Sequence, residues 1–107
     1  MSIPRGATPE NTFTFPIDLS TADVVYITYN QCDRTVIEKE KDDISFSYDE
    51  DAGVYLLQIE LTQEESLAFN DKHKVEMQIR GRYPDGRAVE STIMTTTVDR
   101  ILKDGVI

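Results

Sequence analysis

The side chains that could do chemistry are few in this 107-residue chain. It contains one cysteine, Cys32, and one histidine, His73, which excludes an internal disulfide and a metal site built from several cysteines. A nucleophilic cysteine needs a base, and nothing in the sequence places His73 beside Cys32. Asp33 follows Cys32 directly, and a neighbouring carboxylate works against a reactive thiolate. We therefore interpret Cys32 as an inert turn residue and His73 as an exposed loop residue.

Acidic residues form two short groups whose carboxylates are candidate ligands for a cation. Asp42 and Asp43 make the first group, and Asp49, Glu50 and Asp51 make the second. Calcium prefers several oxygen ligands, but the spacing lacks the alternating aspartates, glycine and distal glutamate of an EF-hand loop. Two solvated hairpin ends account for these carboxylates, so we predict neither a metal nor a cofactor.

Motifs that would indicate an enzyme are missing from the sequence. It contains no Gly-x-Gly-x-x-Gly, Walker A, Gly-x-Ser-x-Gly or His-Glu-x-x-His pattern. Paired carboxylates of the glycosidase kind are not distinguished here by an apolar surrounding. A small domain also has little room for a deep cleft, and we predict that the protein is not an enzyme.

The charge balance bears on partners and location. Aspartate and glutamate number 20 against 11 lysines and arginines, which gives a net charge of −9. Such a chain should be repelled by nucleic-acid phosphates and by anionic lipid headgroups. No apolar run reaches the roughly 18 residues of a membrane span, and the first residues lack the apolar stretch of a signal peptide. We expect no nucleic-acid or membrane partner and synthesis in a cytoplasm.

Three arginines, Arg80, Arg82 and Arg87, place positive charge on one hairpin of this acidic chain. Two interpretations stay open. The arginines pair across the strands with Glu90 or Glu76, or they form a patch for an acidic partner or a neighbouring copy. Nucleic-acid binding would require a wider basic field.

Apolar and polar residues alternate through most of the chain, with turn residues at short intervals, which predicts an all-β protein. Residues 24–29 are the clearest strand, and 35–39 should pair back with them. Asp85-Gly86 predicts a hairpin turn between 75–83 and 88–98. The buried face of 88–98 is ambiguous from the pattern, and a bulge that switches the alternation is one solution.

One segment has a helical signal instead. Thr62-Gln63-Glu64-Glu65 matches a capping box, in which the Thr62 hydroxyl and the Glu65 carboxylate satisfy each other's backbone N–H groups. Apolar residues on both sides of this box should dock a short helix against the strands.

About seven strands and one short helix favour a two-sheet antiparallel β-sandwich of immunoglobulin-like size, with a small β-barrel as the alternative. We divide the chain into an extended N-terminal arm at 1–9, one sandwich domain at 10–100 and a C-terminal tail at 101–107. The core is expected to contain Ile27, Leu57, Ile59 and Ile79 on the facing sheets.

The tail is more aliphatic than a solvated terminus needs to be, with Ile101, Leu102, Val106 and Ile107. Sheet edges in a sandwich must be covered or paired. We expect the tail to dock by strand addition or hydrophobic contact, either on its own domain or on a neighbouring subunit of a homo-oligomer.

The order of several segments resembles a known group of proteins. The segments are Arg-Gly-Ala-Thr-Pro at 5–9, Phe-Thr-Phe-Pro-Ile-Asp-Leu-Ser at 13–20, Leu-Thr-Gln-Glu-Glu-Ser-Leu-Ala-Phe at 61–69 and Arg-Ile-Leu-Lys-Asp-Gly-Val-Ile at 100–107. Together with the 24–29 strand and the Asp-Gly hairpin, they resemble small proteins encoded near tail and baseplate genes in prophages of Gram-positive bacteria. The Phe-Pro-Ile-Asp-Leu-Ser segment and the two-sheet plan are also similar to the N-terminal domain of phage upper baseplate proteins.

This resemblance implies a structural or assembly role, in the host cytoplasm during assembly or in the virion, with other tail or baseplate proteins or a second copy as partners. It carries over no catalytic residue. The competing class is a carbohydrate- or peptide-binding module, which would need an exposed aromatic platform. The candidates for that platform are Tyr26, Tyr29, Tyr48, Tyr55 and Tyr83.

Overall fold

A computed structural model describes residues 1–107, and strands dominate it. Its nine strands are β1 (Ser2–Pro4), β2 (Glu10–Phe15), β3 (Val24–Gln31), β4 (Arg34–Glu40), β5 (Ser45–Asp49), β6 (Val54–Glu60), β7 (Val75–Arg82), β8 (Ala88–Glu90) and β9 (Met94–Asp99). One α-helix, α1 (Gln63–Leu67), and a 3-10 turn at Lys41–Asp43 complete the regular structure. The prediction of an all-β protein with one short helix is confirmed.

The strands form two sheets that share one core. The larger sheet has the order β1-β9-β7-β3-β4, with β8 also beside β7, and the smaller sheet has the order β2-β6-β5. Nineteen buried apolar residues form a single cluster, to which both sheets contribute. Ile27, Leu57, Ile59 and Ile79 are all among them, as predicted.

Alternation of side chains explains why these segments are strands. Along β7 the residues switch between buried and outward-facing, with Val75, Met77 and Ile79 turned into the core. The predicted hairpin of β3 and β4 is present, and its two-residue turn has positive φ at Cys32 (54°) and Asp33 (61°). Two successive positive φ angles match the right-handed twist of the paired strands.

The predicted strand 88–98 is divided into β8 and β9, and this division shows which of its side chains face the core. Arg80 pairs with Glu90 in β8, but Met77 pairs with Met94 in β9, so the return strand holds one extra residue between the two pairings. Ser91 lies at this irregularity, where its N–H and its hydroxyl bond to the backbone of Ile79. The inward side changes from the odd-numbered Val89 to the even-numbered residues of β9.

Three residues of the segment predicted as an extended N-terminal arm, Ser2–Pro4, form an edge strand of the larger sheet. Ser2–Pro4 pairs in parallel with β9, and Ile3 is completely buried. This is the one parallel pairing in a structure whose other strand pairs are antiparallel. The buried Ile3 side chain holds this short edge strand together with hydrogen bonds from Thr96 to Met1 and from Ser2 to Asp99.

Helix α1 is joined to β4 and to the N-terminal segment by side-chain contacts. Its capping box is present: the Thr62 hydroxyl accepts from the Glu65 N–H at 3.1 Å, and the Glu65 carboxylate accepts from the Thr62 N–H at 2.9 Å. Glu65 also pairs with Lys39 of β4 at 2.8 Å. On the other side, the buried Ser66 hydroxyl bonds to the backbone of Gly6 and Ala7.

Candidate functional site

The cysteine and the histidine are both exposed at the same end of the molecule. Gln31, next to Cys32, donates from its amide nitrogen to the carbonyl oxygens of Asn70 at 2.7 Å and His73 at 2.9 Å. The turn and the loop are therefore neighbours through the buried Gln31 side chain. No hydrogen bond joins the thiol to the imidazole, and these residues do not form a nucleophile–base pair.

Two of the acidic side chains accept hydrogen bonds from backbone N–H groups in their own turns. Asp43 accepts from the Glu40 N–H at 3.1 Å, and Asp49 accepts from the N–H groups of Asp51 and Ala52 at 3.1 and 3.2 Å. No three carboxylate, imidazole or thiol groups converge as metal ligands. The carboxylates of Asp42, Glu50 and Asp51 are directed to solvent around the two ends of β5.

The three predicted arginines are all exposed but have different surroundings. Arg87 pairs with Asp85 at 2.8 Å and lies 4.9 Å from the centre of the Tyr83 ring. The backbone N–H and the guanidinium of Arg87 hold the pKa of the Asp85 carboxyl below its usual value. This pair is local to the hairpin turn.

Arg80 and Arg82 remain without a carboxylate partner. Arg80 is aligned with Glu90 on one side and Tyr26 on the other, but neither Glu90 nor Glu76 forms an ion pair with it. Of the two interpretations, cross-strand pairing is met only as the register of Arg80 with Glu90, without an ion pair, and Glu76 lies on the same strand as Arg80. The exposed guanidinium groups flank a shallow depression of about 190 Å³ over Tyr26.

The tail is anchored by its backbone. The Gln63 side chain accepts from the Ile107 N–H at 2.8 Å and donates to the Ile107 carbonyl at 3.2 Å. Ile101 is partly buried, and its terminal carbon lies close to Gly6. The other three aliphatic side chains face solvent, with exposed fractions of 92% for Leu102, 57% for Val106 and 87% for Ile107.

Arg5 links the N-terminal segment to this tail, and sequence reasoning missed it. Its guanidinium donates to the Leu67 carbonyl at 3.1 Å and lies 3.8 Å from the Asp104 carboxylate. A groove of about 300 Å³ is lined by residues 5–7 and by the tail. Gln63 was also missed as an anchor, because its position in the capping box gives no sign of a contact more than forty residues away.

The five tyrosines differ in how far their side chains are buried. Tyr29 is fully buried and Tyr83 is 9% exposed, so neither presents a ring face to a ligand. Tyr26 and Tyr55 are partly buried. Tyr48 is 51% exposed, and its ring centre lies 4.7 Å from that of Tyr55. The Tyr48–Tyr55 pair is therefore the most accessible aromatic surface.

Comparison with known proteins gives no family for this chain. No protein-family model matches it, and no curated protein matches it at a significant level.

None of its helical segments has the length and hydrophobicity that a membrane crossing would require.

Proposed function

We propose that this protein is a non-enzymatic structural or assembly protein of a prophage, associated with the tail or baseplate, that acts through protein–protein contacts. The phage assignment rests on the resemblance of its ordered segments to prophage tail-region proteins. The emphasis on contacts rests on the tail at 101–107. Its partners are other tail or baseplate proteins or a second copy, met in the host cytoplasm or in the particle.

The exposed aliphatic tail is the structural observation that supports an action through protein–protein contacts. The main chain of Ile107 is tied to Gln63 by two hydrogen bonds, yet Leu102, Val106 and Ile107 keep most of their surface in water. Exposed aliphatic groups held in one place present a ready hydrophobic contact, since burying them against a partner costs little further ordering. The unpaired Arg80 and Arg82 offer a second contact of opposite character, suited to an acidic partner.

The experiment removes the gene from an inducible lysogen and complements it with variants. We expect the deletion to lower the yield of complete tails seen by electron microscopy, and the wild-type gene to restore it. A variant with serine at Leu102, Val106 and Ile107 should fail to restore it. Ile17→Ser is the control, because Ile17 is 39% exposed in the loop between β2 and β3, outside the tail. Mass spectrometry of purified particles then shows whether the protein stays in the virion.

Equal tail yield with and without the gene, together with its absence from particles, would contradict the assignment. Light scattering adds a separate measurement on the purified protein. If residues 101–107 hold an oligomer, their deletion lowers the molar mass. If they serve only their own domain, the mass stays the same and the midpoint of unfolding falls.

A carbohydrate- or peptide-binding module is the second candidate, favoured by the Tyr48–Tyr55 pair. Exposed aromatic rings stack on sugar faces, and Tyr48 is the most exposed of the five tyrosines. A glycan array tests this alternative with the wild-type protein and Tyr48→Ala. Signals that disappear in Tyr48→Ala would support it, and an array without hits would remove the lectin form of it.

A further inference from the structure

Strand β5 lies at the edge of the smaller sheet and has an open side. It pairs only with β6, and none of the backbone hydrogen bonds outside the strand pairs joins its far side to another segment. A strand in this position presents a row of unpaired N–H and C=O groups that another strand can use.

Side-chain burial distinguishes this edge from the opposite edge of the same sheet. On β2, the inward-facing Phe13 and Phe15 are only 3% and 5% exposed. Phe46 and Tyr48 occupy the same inner face on β5, across from Leu57 and Tyr55. Phe46 is only partly buried, and Tyr48 is 51% exposed. An additional strand beside β5 would cover apolar rings, whereas a strand beside β2 would cover almost none.

The other edges also carry features that discourage pairing, and β8, which pairs only with β7, has just three residues. Strand β1 has three residues and ends at Pro4, which has no N–H to donate. Strand β2 is followed directly by Pro16. Strand β4 carries charged side chains along its length, at Arg34, Glu38, Lys39 and Glu40. The interior of β5, Ser-Phe-Ser-Tyr, has neither proline nor charge.

Charge at the ends of β5 limits what can pair there. Asp42 and Asp43 precede the strand, and Asp49, Glu50 and Asp51 end it and begin the following turn. A second copy paired through β5 would bring acidic ends together in either orientation, and like charges in opposed positions are destabilising. This edge is therefore unsuited to self-association and suited to a strand with basic ends.

We propose that β5 binds an extended segment of a partner protein as a fourth strand of the smaller sheet. The segment has lysine or arginine at both ends and alternates apolar with polar residues between them. Its apolar side chains would cover Phe46 and Tyr48, its polar ones would face solvent, and its basic ends would meet the two acidic groups. Backbone hydrogen bonds then supply affinity and the charges supply selectivity. This inference does not depend on the phage assignment.

A synthetic peptide, Lys-Lys-Thr-Val-Thr-Val-Thr-Lys-Lys, is the direct probe. We expect saturable binding by calorimetry, and backbone amide shifts in the NMR spectrum that are concentrated in residues 45–49. Replacing the central threonine and the valine that follows it by proline should abolish binding. Adjacent strand residues direct their N–H groups to opposite sides, so one of the two prolines removes a donor to β5 in either register. Replacing the lysines by glutamates should also abolish it. Added salt should weaken binding, as it screens exposed charges.

Protein variants test the charge contribution separately. Glu50→Lys with Asp51→Lys reverses one acidic end without removing the turn contacts of Asp49, and should weaken peptide binding about tenfold. The matched control, Glu64→Lys with Glu76→Lys, makes the same change in net charge at exposed positions away from β5. It should bind the peptide nearly as well as the wild type. Circular dichroism checks that both double variants are folded.

Three results would overturn the proposal. The first is no amide shift in residues 45–49 at saturating peptide. The second is equal binding of the proline peptide, which would mean attraction by charge alone. The third is a shift of the β5 amides with protein concentration in the absence of peptide, which would make a second copy the occupant. None of these results bears on tail assembly, so the two proposals fail independently.

Discussion

The side-chain amide of Asn11 donates a hydrogen bond of 2.7 Å to the phenol oxygen of Tyr29. Asn11 belongs to β2 in the smaller sheet and Tyr29 to β3 in the larger one, so the bond crosses the core. Both residues are buried, with exposed fractions of 2% and 0%. The Tyr29 ring also packs against Phe13 and Phe69, at centre distances of 6.3 and 5.9 Å. One polar contact within an apolar core thus helps to align the two sheets.

Removal of either partner should be costly because the other is left buried without its hydrogen bond. Tyr29→Phe is expected to lower the free energy of unfolding by ~1–3 kcal/mol, and Asn11→Ala by a similar amount. The double variant should lose less than the sum of the two, with a coupling of ~0.5–3 kcal/mol. Urea unfolding of the four proteins measures this cycle, and strictly additive losses would show that the bond contributes nothing.

Stability at alkaline pH should depend on the same tyrosine. Burial raises the pKa of Tyr29 far above its ordinary value, the Asn11 hydrogen bond partly opposes this, and the charge of Glu65 adds to it. Above about pH 10 the unfolded chain releases a proton that the folded chain keeps, so stability falls as the pH rises. Tyr29→Phe should lose less stability than wild type between about pH 9 and pH 11. Tyr48→Phe, at an exposed position, should behave like the wild type.

The surroundings of Glu65 predict that the stability of the fold changes at acid pH. Burial by itself would raise the pKa of its carboxyl, but hydrogen bonds from Lys39 and Thr62 and the charge of Lys39 outweigh burial and lower it. A lowered pKa stabilises the fold above the unfolded-state value and ceases to do so as the pH falls through the folded-state value. Glu65→Gln should cost ~1–2 kcal/mol at neutral pH, and the difference from wild type should shrink below about pH 4.

The neighbouring Glu64 is the control for this experiment, since its side chain is exposed and forms no hydrogen bond or ion pair within the protein. Glu64→Gln should leave both the stability and its pH profile close to wild type. A Glu65→Gln deficit that persists unchanged at acid pH would mean that the lost packing, and not the carboxylate charge, causes it.

The core prediction is tested on strand β6, where neighbouring leucines face opposite ways. Leu57→Ala should cost ~2–5 kcal/mol because Leu57 is fully buried between the sheets. In a domain of ~5–15 kcal/mol this is a large loss. Leu56→Ala removes the same atoms from the outer face, where Leu56 is only half-buried, and should cost clearly less. Equal unfolding midpoints for the two variants would contradict the assignment of faces.

Features that depend on neighbouring residues could be predicted from the sequence. The period-two patterns of β3 and β7, the Asp-Gly hairpin and the Thr62–Glu65 capping box are all local, because a strand face or a helix cap is defined within a few positions. The buried sets on these strands follow from the same patterns. The sequence could also indicate candidate contact residues, because charge and aliphatic character belong to each residue separately. These candidates are Arg80, Arg82, Leu102, Val106 and Ile107.

Contacts between distant segments were decided only by the tertiary structure. No local pattern indicates that Ser2–Pro4 pairs in parallel with β9, that Asn11 meets Tyr29 or that Gln63 holds Ile107. The local sequence of a strand does not specify which other strand will pair with it. Pairing is selected by the burial of whole sheet faces and by loop closure over long separations along the chain. The open side of β5 is a result of the same kind. Composition and alternation alone determined that this chain is an all-β protein with one apolar core, and packing determined which edge of its sheets was left uncovered.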